Sequence, residues 1–80
     1  MFSPQQEIIH THLESQEIQI ILDIHDHESD MVQIVRRSYF TGQNGEVDIT
    51  DLLDIKERYR TYYPSAKFRY TVLSFGKTNE

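Results

Sequence analysis

The chain reads as a small α+β domain, in the order α-β-β-α-β, with helices packed on a mostly antiparallel three-stranded sheet. Three observations predict this. Residues 17–26, EIQIILDIHD, alternate apolar and polar side chains, the period of a strand with one buried face. Residues 48–62 repeat apolar side chains at helical spacing between an acidic start and a proline stop. Two turn stretches, Thr41-Gly-Gln-Asn-Gly45 and Tyr63-Pro-Ser-Ala66, punctuate the rest. No repeat, linker or low-complexity tract divides the chain, so residues 1–80 are expected to form one domain.

The first element is expected as a helix over residues 3–14. Ser3 can cap it, Pro4 suits the first helical position, and Gln6 completes a capping box. Ile8, Ile9, His12 and Leu13 then share a face. So short a helix needs a tertiary surface. An extended arm competes with it, favoured by the β-branched Ile9 and Thr11.

Residues 17–26 follow as a strand that points Ile18, Ile20, Leu22 and Ile24 one way, with Gln19, Ile21, Asp23 and His25 opposite. Residues 31–40, MVQIVRRSYF, form its hairpin partner, with Val32 and Ile34 on one face and Met31, Gln33, Val35, Arg37 and Tyr39 on the other. The helix at 48–62 has Asp48 as cap, Asp51 in the first turn and Lys56, Arg58 and Arg60 late, as the helix dipole favours. Its stripe is Ile49, Leu52, Ile55, Tyr59 and Tyr62, and Pro64 ends it by disfavouring helical geometry at Tyr63. The last strand is 67–75, with Phe68, Tyr70 and Val72 on one face.

The expected sheet order is 2-1-3, with the third strand antiparallel to the first. If both helices cover one face, the other carries Ile21, Val35, Tyr39, Leu73 and Phe75, apolar enough to suggest a partner or a homodimer. If the first helix packs there instead, the layers form a sandwich.

Composition bounds the chemistry. There is no cysteine, so disulfides, thiolate metal sites and thiol catalysis are excluded. A domain of this size buries only about 60% of its unfolded surface and relies on packing or on a partner. No run approaches the roughly 18 apolar residues of a membrane helix, and MFSPQQEIIH lacks the parts of a signal peptide. A soluble, cytoplasmic protein without membrane contact is therefore expected. Net charge is −5, unevenly spread: residues 1–35 hold seven acids, all four histidines and no Lys or Arg, whereas all eight Lys and Arg follow. The uneven charge is either ordinary solvated surface or two faces for partners.

DIHDHESD, residues 23–30, is the most chemical stretch. His25, His27 and Asp23 are the candidate ligands for zinc, nickel or iron, since imidazole and carboxylate suit those ions. The fragment superficially resembles the His-x-His openings of large metallohydrolases, which need further ligands that this chain does not supply. The plainer reading is a polar hairpin tip, so no metal or other cofactor is expected. Residues 44–59 superficially resemble a calcium loop. Placing Gly45 at the sixth loop position puts Phe40 and Gly42 where the first and third oxygen ligands belong, so a turn and a capped helix are expected there. No nucleophile elbow, phosphate loop or dinucleotide fingerprint occurs, and no enzyme activity is expected.

RYRTYYPSAKFRY, residues 58–70, interleaves basic and aromatic side chains. That pattern serves single-stranded nucleic acid, with Arg36, Arg37, Arg58, Arg60, Lys67 and Arg69 as candidate phosphate contacts. It equally describes core aromatics flanked by solvated cations. A net charge of −5 opposes tight phosphate binding. The leading expectation is a non-enzymatic protein-binding module, a small regulator, adaptor or inhibitor. It would use the acidic tip Asp23, Asp26, Glu28 and Asp30, the open sheet face, or both. Nucleic-acid binding and His/Asp metal binding stand as the alternatives.

Overall fold

A computed structural model describes residues 6–74 of the chain. Its elements are β1 (Ile8–His10), β2 (Glu17–Asp26), β3 (Met31–Phe40), β4 (Glu46–Asp48), α1 (Thr50–Tyr62) and β5 (Lys67–Ser74). A three-stranded sheet has the order β3-β2-β5, and a separate two-stranded ribbon joins β1 to β4. Both neighbours of β2 run antiparallel to it. The small α+β class and the order of the main sheet thus match the expectation.

The N-terminal segment departs from it. Where a helix was expected over 3–14, Ile8, Ile9 and His10 pair with Asp48, Val47 and Glu46; residues 3–5 lie outside the described residues. Thr11 explains why helical spacing loses. Its N–H donates to the Gly45 carbonyl at 2.8 Å, and its hydroxyl accepts from the Leu13 N–H at 3.0 Å. A threonine that bonds its own neighbours offers the backbone an alternative to the helix. Ser15, at φ 50, then takes a left-handed conformation that no helix continues through. Among the described residues there is one helix, α1, and neither the two-helix layer nor the sandwich is seen.

The core lies on one side of the main sheet. Ile18, Ile20, Leu22 and Ile24 of β2 are buried with Val47, Ile49 and Leu52. β3 and β5 add half-buried Met31, Val35, Tyr39, Phe68 and Tyr70 to the same side. α1 crosses this side diagonally. Near its start, Asp51 accepts from the Tyr39 hydroxyl at 2.7 Å and pairs with Arg37 at 3.4 Å, both on β3. Further along, the Lys56 ammonium sits 5.8 Å from the Phe68 ring and 5.6 Å from the Tyr70 ring, both on β5. α1 begins at Thr50, two residues later than expected, although Asp48 still accepts from the Thr50 N–H at 3.0 Å. Of the expected stripe, Tyr62 is 77% exposed and points away from the core.

One helix over one sheet makes a thin molecule, 14 Å in its smallest extent. Its radius of gyration is 14.6 Å, against about 11–12 Å for an ordinary domain of this length.

Candidate functional site

Register decides which side chains face outward. Four tip residues, 27–30, separate Asp26 from its partner Met31, so the odd positions of β3 share a side with the even positions of β2. Val35 and Tyr39, expected on the open face, therefore lie on the core side, opposite Leu22 and Ile18. Val32, Ile34, Arg36, Ser38 and Phe40 take their place outside. Both sets of β3 side chains are partly apolar, so composition alone does not choose between them. The four-residue tip does, because a shift of one residue exchanges the two faces.

The open face can be followed row by row through its cross-strand partners. Phe40 lies beside Glu17, and Ser38, Gln19 and Leu73 form the next row. Then come Arg36, Ile21 and Thr71, followed by Ile34, Asp23 and Arg69, and finally Val32, His25 and Lys67. Ile21 and Leu73 thus stand where they were expected, while Phe75 lies outside the described residues. Val32 is 63% exposed, Ile34 50% and Phe40 70%, all on one strand.

That strand is also an edge. The Thr41 N–H donates to the Gln16 carbonyl at 2.8 Å, which fixes the backbone alternation along β3. Odd residues turn their N–H and C=O toward β2, and even residues turn theirs outward. Among the described residues, the outward carbonyls of Ile34 and Arg36 receive side-chain donors from β3 itself. These are Gln33 Nε2 at 3.5 Å and an Arg37 guanidinium nitrogen at 3.3 Å. The strand has ten residues, no proline and no bulge in its register with β2.

The acidic tip does not make one surface. Asp26 is buried on the core side, where its Oδ2 accepts from the Ser29 N–H at 3.1 Å and the Ser29 hydroxyl at 2.6 Å. Its Oδ1 is buried without a hydrogen-bond partner among the described residues. Asp23 belongs to the open face, opposite Arg69, and only Glu28 and Asp30 remain exposed at the tip itself. Asp30, at φ 62, closes the turn in the left-handed region that Asp tolerates. The rings of His25 and His27 lie 4.2 Å apart at 47°. Among the described residues no group of three or more His, Asp or Glu side chains is placed to hold a metal ion.

The basic residues also divide. Arg36, Lys67 and Arg69 share the open sheet face. Arg37 is paired with Asp51, Arg60 lies 5.5 Å from the Phe68 ring and 3.9 Å from Glu57, and Arg58 projects from the helix. The interleaved pattern of 58–70 thus partly expresses packing of helix cations over β5 rings. Near the end of α1, Arg58, Tyr59, Tyr62 and Tyr63 line an open hollow, with Tyr59 and Tyr63 stacked at 6.2 Å.

Among the described residues, three groups titrate away from their ordinary values. Burial pushes the Tyr39 hydroxyl well up, aided by the hydrogen bond to Asp51 and its charge, while Arg37 opposes this. Burial also raises Tyr70, with Glu7 and Glu57 adding to the effect. Hydrogen bonds from Thr50 hold Asp48 below the usual carboxylate value. None of the three lies on the open face. Among the described residues no helix is long and apolar enough to cross a membrane. Comparison with protein-family models, curated proteins and solved structures found no match.

Proposed function

We propose that the chain is a non-enzymatic protein-binding module, a small adaptor or regulator, and that its contact surface is the open side of β3-β2-β5. One observation carries this reading. β3 exposes Val32, Ile34 and Phe40 together, on a strand whose outer backbone is also unpaired by any other strand among the described residues. Scattered exposed apolar residues need no explanation, but several on one free edge mark an interaction site. Asp23, Arg36, Lys67 and Arg69 surround these side chains with charge and would orient a protein partner.

The test is a pull-down from the native source at low and high salt, run with and without nuclease treatment. It compares the unaltered chain with a variant carrying Val32→Lys and Ile34→Lys. The reading expects a stoichiometric protein partner that the variant loses while its circular dichroism stays unchanged. Equal retention of every protein by both chains refutes it. Recovery of nucleic acid alone, lost at high salt, would transfer the surface to Arg36, Lys67 and Arg69.

A further inference from the structure

We propose that one partner of this sheet is a second copy of the chain, joined by antiparallel pairing of β3 with itself about Val35. This rests on the reading of the open sheet as a binding surface and specifies its outer edge.

Self-pairing of an antiparallel strand requires that a two-fold axis leave compatible residues opposite each other. Centred on Val35, Ile34 faces the partner's Arg36 and Val32 faces the partner's Ser38. On the helix side, Gln33 meets the partner's Arg37 and Met31 meets the partner's Tyr39. The even residues are those with outward N–H and C=O groups, so they fall at the hydrogen-bonded pairs, as an antiparallel ladder demands. The span from Met31 to Tyr39 pairs without interruption, and Asp30 ends it by its turn at φ 62.

Charge narrows the choice of register. β3 carries Arg36 and Arg37 and no acid. Centring the axis on either arginine sets like charges face to face, which destabilises a strand pair. Centring on Val35 sets an apolar residue opposite Arg36 and an amide opposite Arg37. Arg37 also has Asp51 beside it at 3.4 Å. The two arginines thus act against the registers centred on them while tolerating this one.

The edge already shows where the new bonds would form. The carbonyls of Ile34 and Arg36, now approached by Gln33 and Arg37 side chains, would accept from the N–H groups of the partner's Arg36 and the partner's Ile34. Gln33 and Arg37 would then be released to face each other across the axis. The product is a continuous six-stranded sheet with both helices on one side. Because the contact is isologous, it closes at two copies.

The chain has no cysteine, so a single introduced cysteine can form only an intermolecular disulfide. At a non-hydrogen-bonded pair the Cα atoms lie about 4.5 Å apart, within the range of roughly 4.4–6.8 Å that a disulfide spans. Val35→Cys on the axis should therefore cross-link under mild oxidation. Gln33→Cys and Ile34→Cys lie off the axis, with Cα separations of about 7 Å or more, and should lag at least tenfold. Light scattering should give twice the 9.5 kDa chain mass at micromolar concentration. Ile34→Pro removes an outward N–H, leaves the bonds to β2 intact, and should return the chain to one copy.

A monomer at all concentrations, or a dimer in which Val35→Cys cross-links no faster than the two controls, overturns the proposal. The binding-module reading survives either result if the chain still holds another protein that Val32→Lys and Ile34→Lys release. Loss of that capture as well sinks both.

Discussion

Ile20 and Ile21 are neighbours of one residue type on one strand, so comparing their alanine variants isolates burial from backbone preference. Ile20 is fully buried between Arg37 of β3 and Val72 of β5, on the side that α1 covers. Ile21 is only half-buried, on the open face beside Arg36 and Thr71. Ile20→Ala loses the transfer free energy of its side chain and leaves a cavity, together about 2–5 kcal/mol. Ile21→Ala loses partial burial and strand preference, about 1 kcal/mol. The gap is therefore roughly 2–3 kcal/mol, a large share of the roughly 4–12 kcal/mol expected for a domain of this length. Urea unfolding at low protein concentration, followed by circular dichroism and tyrosine fluorescence, measures it. With a slope of about 1 kcal/mol per molar urea, the two midpoints should differ by roughly 2–3 M. An Ile21→Ala cost equal to or above that of Ile20→Ala would refute the assignment of faces, and with it the open surface.

Further expectations test the supports of this sheet. Gly45 has φ +77, and an added Cβ would lie 2.0 Å from the Thr11 carbonyl oxygen. Gly45→Ala should therefore cost more than the roughly 1–2 kcal/mol of left-handed strain alone, and hydrogen exchange at Ile9 and Val47 should accelerate first. Tyr39 has a raised folded pKa, so its contribution is fully present below the ordinary tyrosine value of 10.0 and is lost as pH rises through the folded value. Asp51→Asn should bring Tyr39 back toward that value in an ultraviolet titration, and an unmoved titration would break the assigned contact. Ser29→Ala removes the hydroxyl donor to buried Asp26 and should cost about 1–3 kcal/mol in urea unfolding.

β2 was legible because its alternation is strict and one face is wholly aliphatic. The end of α1 was legible because Pro64 acts locally, through sterics at Tyr63. The N-terminal ribbon was not. Ile8, Ile9 and Leu13 fit a helical stripe as well as a strand, and the choice falls to bonds with Gly45 and Glu46, more than thirty positions away. The face of β3 was ambiguous for another reason: Val32 and Ile34 compete with Met31, Val35 and Tyr39, and the winner depends on the length of the tip. Recognition that Asp26 and Ser29 clamp a four-residue turn was the available signal. The acidic quartet dissolved for the same reason, since Asp26 belongs to that clamp.

The tip DIHDHESD thus sets the open face of the sheet by geometry. Its four-residue turn places Val32, Ile34 and Phe40 outside, and Asp26 with Ser29 holds that length. Deleting Glu28 shortens the turn by one residue and removes the even spacing that pairs Asp26 with Met31. In a strand with one polar face, the slip would be prohibitive. In β3 it brings Val32 and Ile34 under α1 and moves Met31, Val35 and Tyr39 outward, so a folded alternative exists. It forfeits the Tyr39–Asp51 hydrogen bond and the Arg37–Asp51 ion pair, found at 2.7 and 3.4 Å in the native register. A folded deletion variant should therefore be less stable and titrate Tyr39 near its ordinary value. If it keeps the raised Tyr39 titration, the chain has absorbed the deletion within the turn. The clamp would then have no part in choosing which face of β3 lies open.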